Sequence, residues 1–332
     1  NIKVVLTSAN NYSTLSAFSL RFGVKFKIKT FFQKFHKIVR IKKFDDIRKS
    51  PFQLSEKSIN EKYETKKDII FEKYFFDRQN AKRLPSRVRK STIDVISAYK
   101  DKIKDEKLFF DLIKKSKKNF KFINVYAPHA FSDCNHVFGR LLYRDYFQNF
   151  LNTLQIIQDD DINLWVIKPH PSSYYFNEEG LVKRYFNQFK KENIVLCPSN
   201  ISTSLILKVA DKIVTSRGTI GLEAACLGKR AILTGSSPYS HLGISLNPKN
   251  IQSYKKMLLS KNATQKLIKE KQLLAKKYLY WFGRDRMYDK LYFIESKWDE
   301  KNSFMKNLVK LQTKSTYKKK LDVYFDYVDL KF

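Results

Sequence analysis

Trp165-Val166-Ile167-Lys168-Pro169-His170-Pro171-Ser172-Ser173 reads as a buried strand that runs straight into a stiff, basic loop. Trp165, Val166 and Ile167 follow no helical period, Lys168 and His170 supply cationic donors, and Pro169 and Pro171 fix the backbone on either side of the histidine. In an open α/β sheet, ligands bind just beyond the carboxyl ends of the strands. A Lys-Pro-His-Pro corner in that position suits a phosphate or a carboxylate. The same residues read equally well as a proline-stiffened turn with a surface histidine.

Short apolar runs alternate with helical spacing on both sides of this stretch. Phe122 to Tyr126 reads as a strand, Leu141 to Ile157 as a helix, Leu164 to Ile167 as a strand and Glu178 to Lys191 as a helix. Ile194 to Leu196, Lys212 to Val214 and Ala231 to Leu233 read as further strands, separated by helices over Ser202 to Ala210 and Ile220 to Leu227. Asn200-Ile201-Ser202 is rich in caps, and Gly228 follows a helix end as a C-terminal stop does. Strands and helices alternating at this spacing predict βαβ units and an α/β fold with a doubly wound parallel sheet.

The first 120 residues are less regular. They contain a strand at Lys3 to Leu6, basic amphipathic stretches over Phe26 to Val39, a helix over Lys66 to Phe76 and a loop at Leu84-Pro85. Beyond Asn250 the pattern turns helical, over Ser253 to Leu259 and Ala263 to Tyr280, and the chain closes in aromatic, lysine-rich segments from Trp281 to Phe332. The expected division is an incomplete N-terminal α/β domain over 1–120, a Rossmann-like domain over 121–300 and a basic helical segment over 301–332. The chain starts at Asn1 without an initiator methionine or a signal-peptide pattern, so it is expected to be cut from something longer.

With 332 residues, 43% hydrophobic and 15% aromatic, the chain can bury a large core and is not of disordered composition. No run of about eighteen apolar residues marks a spanning helix. The net charge of +33 fits nucleic acid, an anionic membrane face, or AT-rich coding, which enriches Lys, Asn, Ile and Phe. Lysines scattered through every segment favour the last two, and no RNA-binding aromatic signature or zinc-finger spacing is present, so no nucleic-acid partner is expected. Cys134, Cys197 and Cys226 are odd in number and far apart, which points to a reducing, cytoplasmic setting without a disulfide framework or a metal cluster.

Three more loops follow strands at the same sheet edge. Thr215-Ser216-Arg217-Gly218-Thr219-Ile220-Gly221-Leu222-Glu223 opens a helix whose free N–H groups and dipole suit a phosphate. Ser216 and Thr219 add hydroxyls, Arg217 adds a guanidinium, and Gly218 and Gly221 allow close approach. The stretch also reads as an ordinary capped helix, and Glu223 as either a ribose-diol acceptor or a capping carboxylate. Ala127 to His136 places Asp133 with His129 and His136. That grouping suits a nucleophile or base tuned by a histidine, a weak metal site, or an aspartate that caps the next helix. Thr234 to Ile244 brings Ser237, Tyr239, Ser240 and His241, suited to a sugar or carboxylate. Four polar loops on one rim carry more weight than any one of them.

Together these residues resemble the bacterial capsule and surface-polysaccharide glycosyltransferases of the GT-B type, which include the retaining β-Kdo transferases that use CMP-β-Kdo. The match rests on His129-Ala130-Phe131-Ser132-Asp133 with Asp145-Tyr146, on Lys168-Pro169-His170-Pro171, on Ser216-Arg217-Gly218-Thr219 through Glu223, and on Ser237-Pro238-Tyr239-Ser240 through Gly243. It covers residues 120 to 245 well, with a fainter echo from Glu72-Lys73-Tyr74 to Arg78. The resemblance implies a GT-B-like fold, His170 and the Ser216 to Thr219 helix start on the CMP moiety, and Lys168 on the phosphate or the Kdo carboxylate. It also implies Asp133 as the carboxylate nucleophile and no metal or other cofactor. The implied partners are a nucleotide-sugar donor and a glycan or lipid-linked acceptor, and the basic excess fits work at the anionic inner membrane face as a peripheral protein, although AT-rich coding predicts that excess as well. The short N-terminal half departs from the family's fuller acceptor domain, which leaves the acceptor open. Two alternatives stand: transfer from another CMP- or CDP-activated donor, such as sialic acid or glycerol phosphate, and a non-enzymatic basic protein that binds membrane or nucleic acid.

Overall fold

A computed structural model describes residues 2–7, 14–34, 37–44, 54–81, 106–111, 113–116, 119–133, 139–170, 173, 177–198, 201–260 and 266–285. The expected basic segment over 301–332 and the candidates Cys134 and His136 lie outside the described residues.

The N-terminal elements are β1 (Val4–Thr7), α1 (Thr14–Lys25), β2 (Lys29–Lys34) and β3 (Lys37–Ile41). β1 pairs with β2 in parallel and β2 with β3 antiparallel, so the basic Phe26 to Val39 stretch forms most of a strand pair. Leu20, Ile41 and Val24 make the small core between α1 and this sheet. Two helices follow, α2 (Glu56–Lys62) and α3 (Ile69–Ala81). The helix expected over Lys66 to Phe76 therefore starts later and runs five residues further, to Ala81.

The second sheet is built from β4 (Phe122–Ala127), α4 (Tyr146–Ile157), β5 (Asn163–Ile167), α5 (Glu179–Phe189), β6 (Ile194–Leu196), α6 (Thr203–Val209), β7 (Lys212–Thr215), α7 (Thr219–Cys226), β8 (Ala231–Leu233) and β9 (Ser245–Leu246). α8 (Ile251–Leu258) and α9 (Lys269–Tyr280) follow, and α9 runs into a π-helical turn at Trp281–Asp285. All six strands are parallel, in the order β6-β5-β4-β7-β8-β9. The first strand lies in the middle and the chain winds outward in both directions, as the doubly wound reading requires.

Side-chain alternation explains why both faces are covered. Ile123 and Val125 of β4, Leu164 and Val166 of β5, and Ile213 of β7 join one apolar cluster with α6, α7 and α9. Tyr126, Trp165, Ile167, Val214 and Ile232 join a second with α4, α5 and α8. A strand buried on both faces is apolar at nearly every position, which is why these runs carry no polar alternation. Ile59 and Tyr63 of α2 and Phe71 and Phe75 of α3 share the first cluster with Tyr278 and Tyr280 of α9.

Two further helices start later than their sequence pattern. α4 begins at Tyr146 rather than Leu141, because Asp145 caps it by accepting from the Gln148 N–H at 2.7 Å. Leu142, ahead of it, donates its backbone N–H to Thr234 O instead. α9 begins at Lys269 rather than Ala263, and Leu267 before it donates to Gly228 O. Leu142 and Tyr143, ahead of α4, still pack on the second cluster, and Leu267, ahead of α9, belongs to the first.

Candidate functional site

The centre of the sheet is its switch point. β4 turns toward α4 and β5 on one side, while its other neighbour, β7, carries the chain toward β8 and β9. Loops leaving the carboxyl ends of two such strands diverge and leave a crevice between them. The loop after β4 holds His129 and Asp133, and the loop after β7 holds Ser216 to Thr219.

His129 and Asp133 form a pair, with Nε2 of the histidine 2.9 Å from Oδ2 of the carboxylate. An ionised carboxylate only accepts hydrogen bonds, so Nε2 carries the proton. The other ring nitrogen, Nδ1, is buried and has no hydrogen-bond partner among the described residues. The ring packs against Tyr146 at 4.4 Å between centroids and against His170, from the loop after β5, at 4.8 Å. The two side chains are 15% and 17% exposed.

The Lys168-Pro169-His170 corner thus meets the Asp133 loop, as expected for two strands that pair in register. The charge on the corner differs from the sequence reading. Burial, reinforced by neighbouring His129 and opposed by Asp133, lowers the His170 pKa to about 4, so its imidazole is neutral at pH 7. It remains an N–H donor but not a cation. Lys168 is buried to 7% exposure and donates through Nζ to Pro198 O at 3.1 Å, bracing the corner against the end of β6.

Glu178, just before α5, is a residue that sequence reasoning missed. Its buried carboxylate accepts from two successive backbone N–H groups of the β4 loop, Phe131 at 2.8 Å and Ser132 at 2.6 Å. An acidic residue ahead of a helix reads as a cap, and nothing local shows that it reaches 46 and 47 residues back along the chain.

On the other wall, Arg217 donates through Nη2 to Gly139 O at 2.8 Å, and its guanidinium carbon lies 5.9 Å from the Tyr146 ring centroid. Gly235 leaves room for it, since a Cβ there would lie 2.9 Å from Arg217 Nε. Gly218 caps α7 and Thr219, its first residue, is exposed, so the helix N-terminus opens to solvent. A helix N-terminus of this kind favours an anion.

The remaining candidates are placed deeper. Ser216 is fully buried and is bonded by Asn149 Nδ2 at 2.9 Å and by the Thr234 hydroxyl at 3.2 Å. Glu223 is fully buried beside Arg78 of α3, with Oε1 3.6 Å from Nε. Tyr239 donates its hydroxyl to Gly218 O at 2.6 Å, and Gly221 leaves the space that hydroxyl needs. Ser237 is buried, and Ser240 Oγ accepts from the Ser237 N–H at 3.1 Å while donating to its carbonyl at 2.9 Å. His241 lies on the outside, 2.9 Å from Leu54 O. Groups of three or more metal-ligating side chains are absent among the described residues.

The family model described as capsule polysaccharide biosynthesis protein matches residues 26–280. No curated protein matches the sequence. Among solved structures, the beta Kdo 2,7 transferase KpsC of Thermosulfurimonas dismutans is similar at 17% identity and a TM-score of 0.32, over 61% of this chain and 56% of that one. The beta Kdo 2,4 transferase KpsC of the same organism is similar at 11% identity and 0.34, over 82% and 78%. The UDP-GlcNAc 2-epimerase of Methanocaldococcus jannaschii, in complex with UDP-GlcNAc and UDP, is similar at 13% and 0.31, over 86% and 76%. The chain spans little more than half the length of the first of these.

Proposed function

This chain belongs to the capsule polysaccharide biosynthesis protein family, and from that membership we propose that it is a glycosyltransferase of surface polysaccharide assembly. It transfers Kdo from CMP-β-Kdo to a glycan or lipid-linked acceptor at the cytoplasmic face of the inner membrane, with retention of configuration. The observation that carries this reading is the hydrogen-bonded His129–Asp133 pair, packed on His170 at the switch point of the sheet.

Retention follows from two displacements. A carboxylate oxygen of Asp133 attacks the anomeric carbon as the bond to the CMP phosphate oxygen breaks, and the phosphate leaves with the electron pair. The acceptor hydroxyl then displaces Asp133 from the face the phosphate left, Asp133 takes back its electron pair, and the hydroxyl's proton passes to the departed phosphate oxygen. The N–H from His129 to Asp133 keeps one carboxylate oxygen engaged and points the other. The open N-terminus of α7, with Thr219, receives the phosphate, and Arg217, in the loop that leads into α7, supplies fixed positive charge beside it. In this reading the guanidinium and the helix N-terminus take the part that a divalent metal plays elsewhere.

Thermal-shift titration of the purified chain against CMP, CDP, UMP and UDP tests the donor. CMP is expected to raise the melting temperature most. Preference for UMP or UDP refutes the donor assignment, and preference for CDP moves it to a CDP-activated group.

A further inference from the structure

We propose that one end of the three-stranded sheet, together with the solvent side of α1, docks onto an anionic phospholipid bilayer. The first 43 residues hold ten lysines and arginines and no aspartate or glutamate. The excess charge is therefore not evenly scattered: this unit is cationic throughout. Strand register gathers much of that charge at one end. Val4 of β1 lies opposite Lys29 of β2, and Ile41 of β3 lies opposite Thr30. The start of β1, the end of α1, the start of β2 and the end of β3 thus meet, and bring with them the exposed Lys3, Lys25, Lys27, Lys29, Lys42 and Lys43.

Apolar side chains stand among these lysines. Ile2 is 62% exposed, Phe26 56% and Phe44 48%. From Phe26 an aromatic strip runs back along α1, with the Phe22 ring at 4.5 Å from Phe26 and 6.2 Å from Phe18, which is 67% exposed. Leu20 and Val24, on the other side of the same helix, fill the small core with Ile41. α1 therefore has one apolar side for its own sheet and a second, aromatic side turned to solvent. A dissolved polyanion would neutralise the lysines and leave the rings in water. A bilayer satisfies both, because headgroup phosphates meet the ammonium groups while rings and lysine stems enter the acyl boundary.

Vesicle co-sedimentation of the full chain tests this. Vesicles of phosphatidylcholine alone are compared with vesicles containing about 30% phosphatidylglycerol, at low and at physiological salt. The wild-type chain is expected to bind only the anionic vesicles. F18S/F26S and K25E/K27E are each expected to weaken binding by at least about tenfold. K255E/K256E, the same charge change on exposed lysines of α8, is expected to bind as wild type. All four side chains of the first two variants lie at the surface, and unchanged melting temperatures establish that they fold. The single change Phe26→Ser repeats the aromatic test more gently. Equal binding to neutral vesicles, or none to anionic ones, overturns the proposal. So does undiminished binding by F18S/F26S, which leaves charge alone as the cause. Equal loss in K255E/K256E overturns it too, because binding then follows total charge and not this face.

Discussion

His129 reaches Asp133 across four residues of a single loop, Nε2 to Oδ2 at 2.9 Å, and turns the same ring toward His170 at 4.8 Å between centroids. One imidazole therefore touches the acidic group of the β4 loop and the histidine of the β5 loop. The pair has enough exposure to meet a ligand and enough burial for the hydrogen bond to be strong, since a charge-assisted bond gains as water is excluded.

Asp133→Asn keeps the shape of the loop and replaces the carboxylate proposed as nucleophile. If the proposed reaction holds, turnover of CMP-Kdo is expected to fall by roughly a thousandfold or more, with nucleotide-induced thermal stabilisation retained, because the phosphate site proposed at the start of α7 lies on the opposite wall. Steady-state kinetics alongside thermal shift separate the two effects. Unchanged turnover removes Asp133 from the nucleophile role.

His170 makes stability depend on pH. Its folded pKa is lowered to about 4, mainly by burial, against 6.5 in the unfolded chain. Between those values the unfolded state binds a proton that the folded state does not, so stability falls as pH drops from 6.5 toward 4 and loses no more from this group below that. The loss approaches about 3 kcal/mol. Denaturant unfolding at stepped pH measures it, and His170→Gln is expected to flatten this part of the profile.

The parallel sheet was legible in sequence because strands buried on both faces are written as apolar runs, and Trp165-Val166-Ile167 is one of them. The four loops were legible because Gly, Pro, Ser and His gather after each run. Long-range partnerships were not. Asn149 looks like any polar residue in a helix, yet it bonds both Tyr126 and Ser216 and fixes the start of the β7 loop. Ser216, read as a ligand hydroxyl, is buried in that contact. His170 was read as a cation because composition cannot report burial. The strand pair in the basic N-terminal stretch was hidden because lysines interrupt the apolar positions on both sides of Phe31 and Phe32.

Glu178→Ala is expected to release the loop that carries the pair. It leaves the Phe131 and Ser132 N–H groups without their carboxylate, at a cost of about 1–3 kcal/mol each where they stay dry. Hydrogen exchange over residues 127–133 should quicken while the strands β4 and β5 stay protected. Exchange that quickens equally across the whole sheet would mean general destabilisation and not a local clamp.

Gly221 and Tyr239 should be coupled. Alanine is a better helix former than glycine by about 1 kcal/mol, so Gly221→Ala would stabilise α7 if only the backbone mattered. The added Cβ, however, overlaps the Tyr239 hydroxyl and meets Leu233 Cδ2 at 3.1 Å. Displacing that hydroxyl breaks its bond to Gly218 O, which holds the cap of α7. Gly221→Ala is therefore expected to cost about 2–3 kcal/mol, and Tyr239→Phe about 1 kcal/mol for the lost hydrogen bond. The double variant removes both the overlapping oxygen and the bond it made, so it is expected to be less destabilised than the sum by at least about 1 kcal/mol. Denaturant midpoints of the four proteins complete the cycle. Strict additivity would show that Gly221 serves the helix itself, and that the space it leaves is not what seats Tyr239.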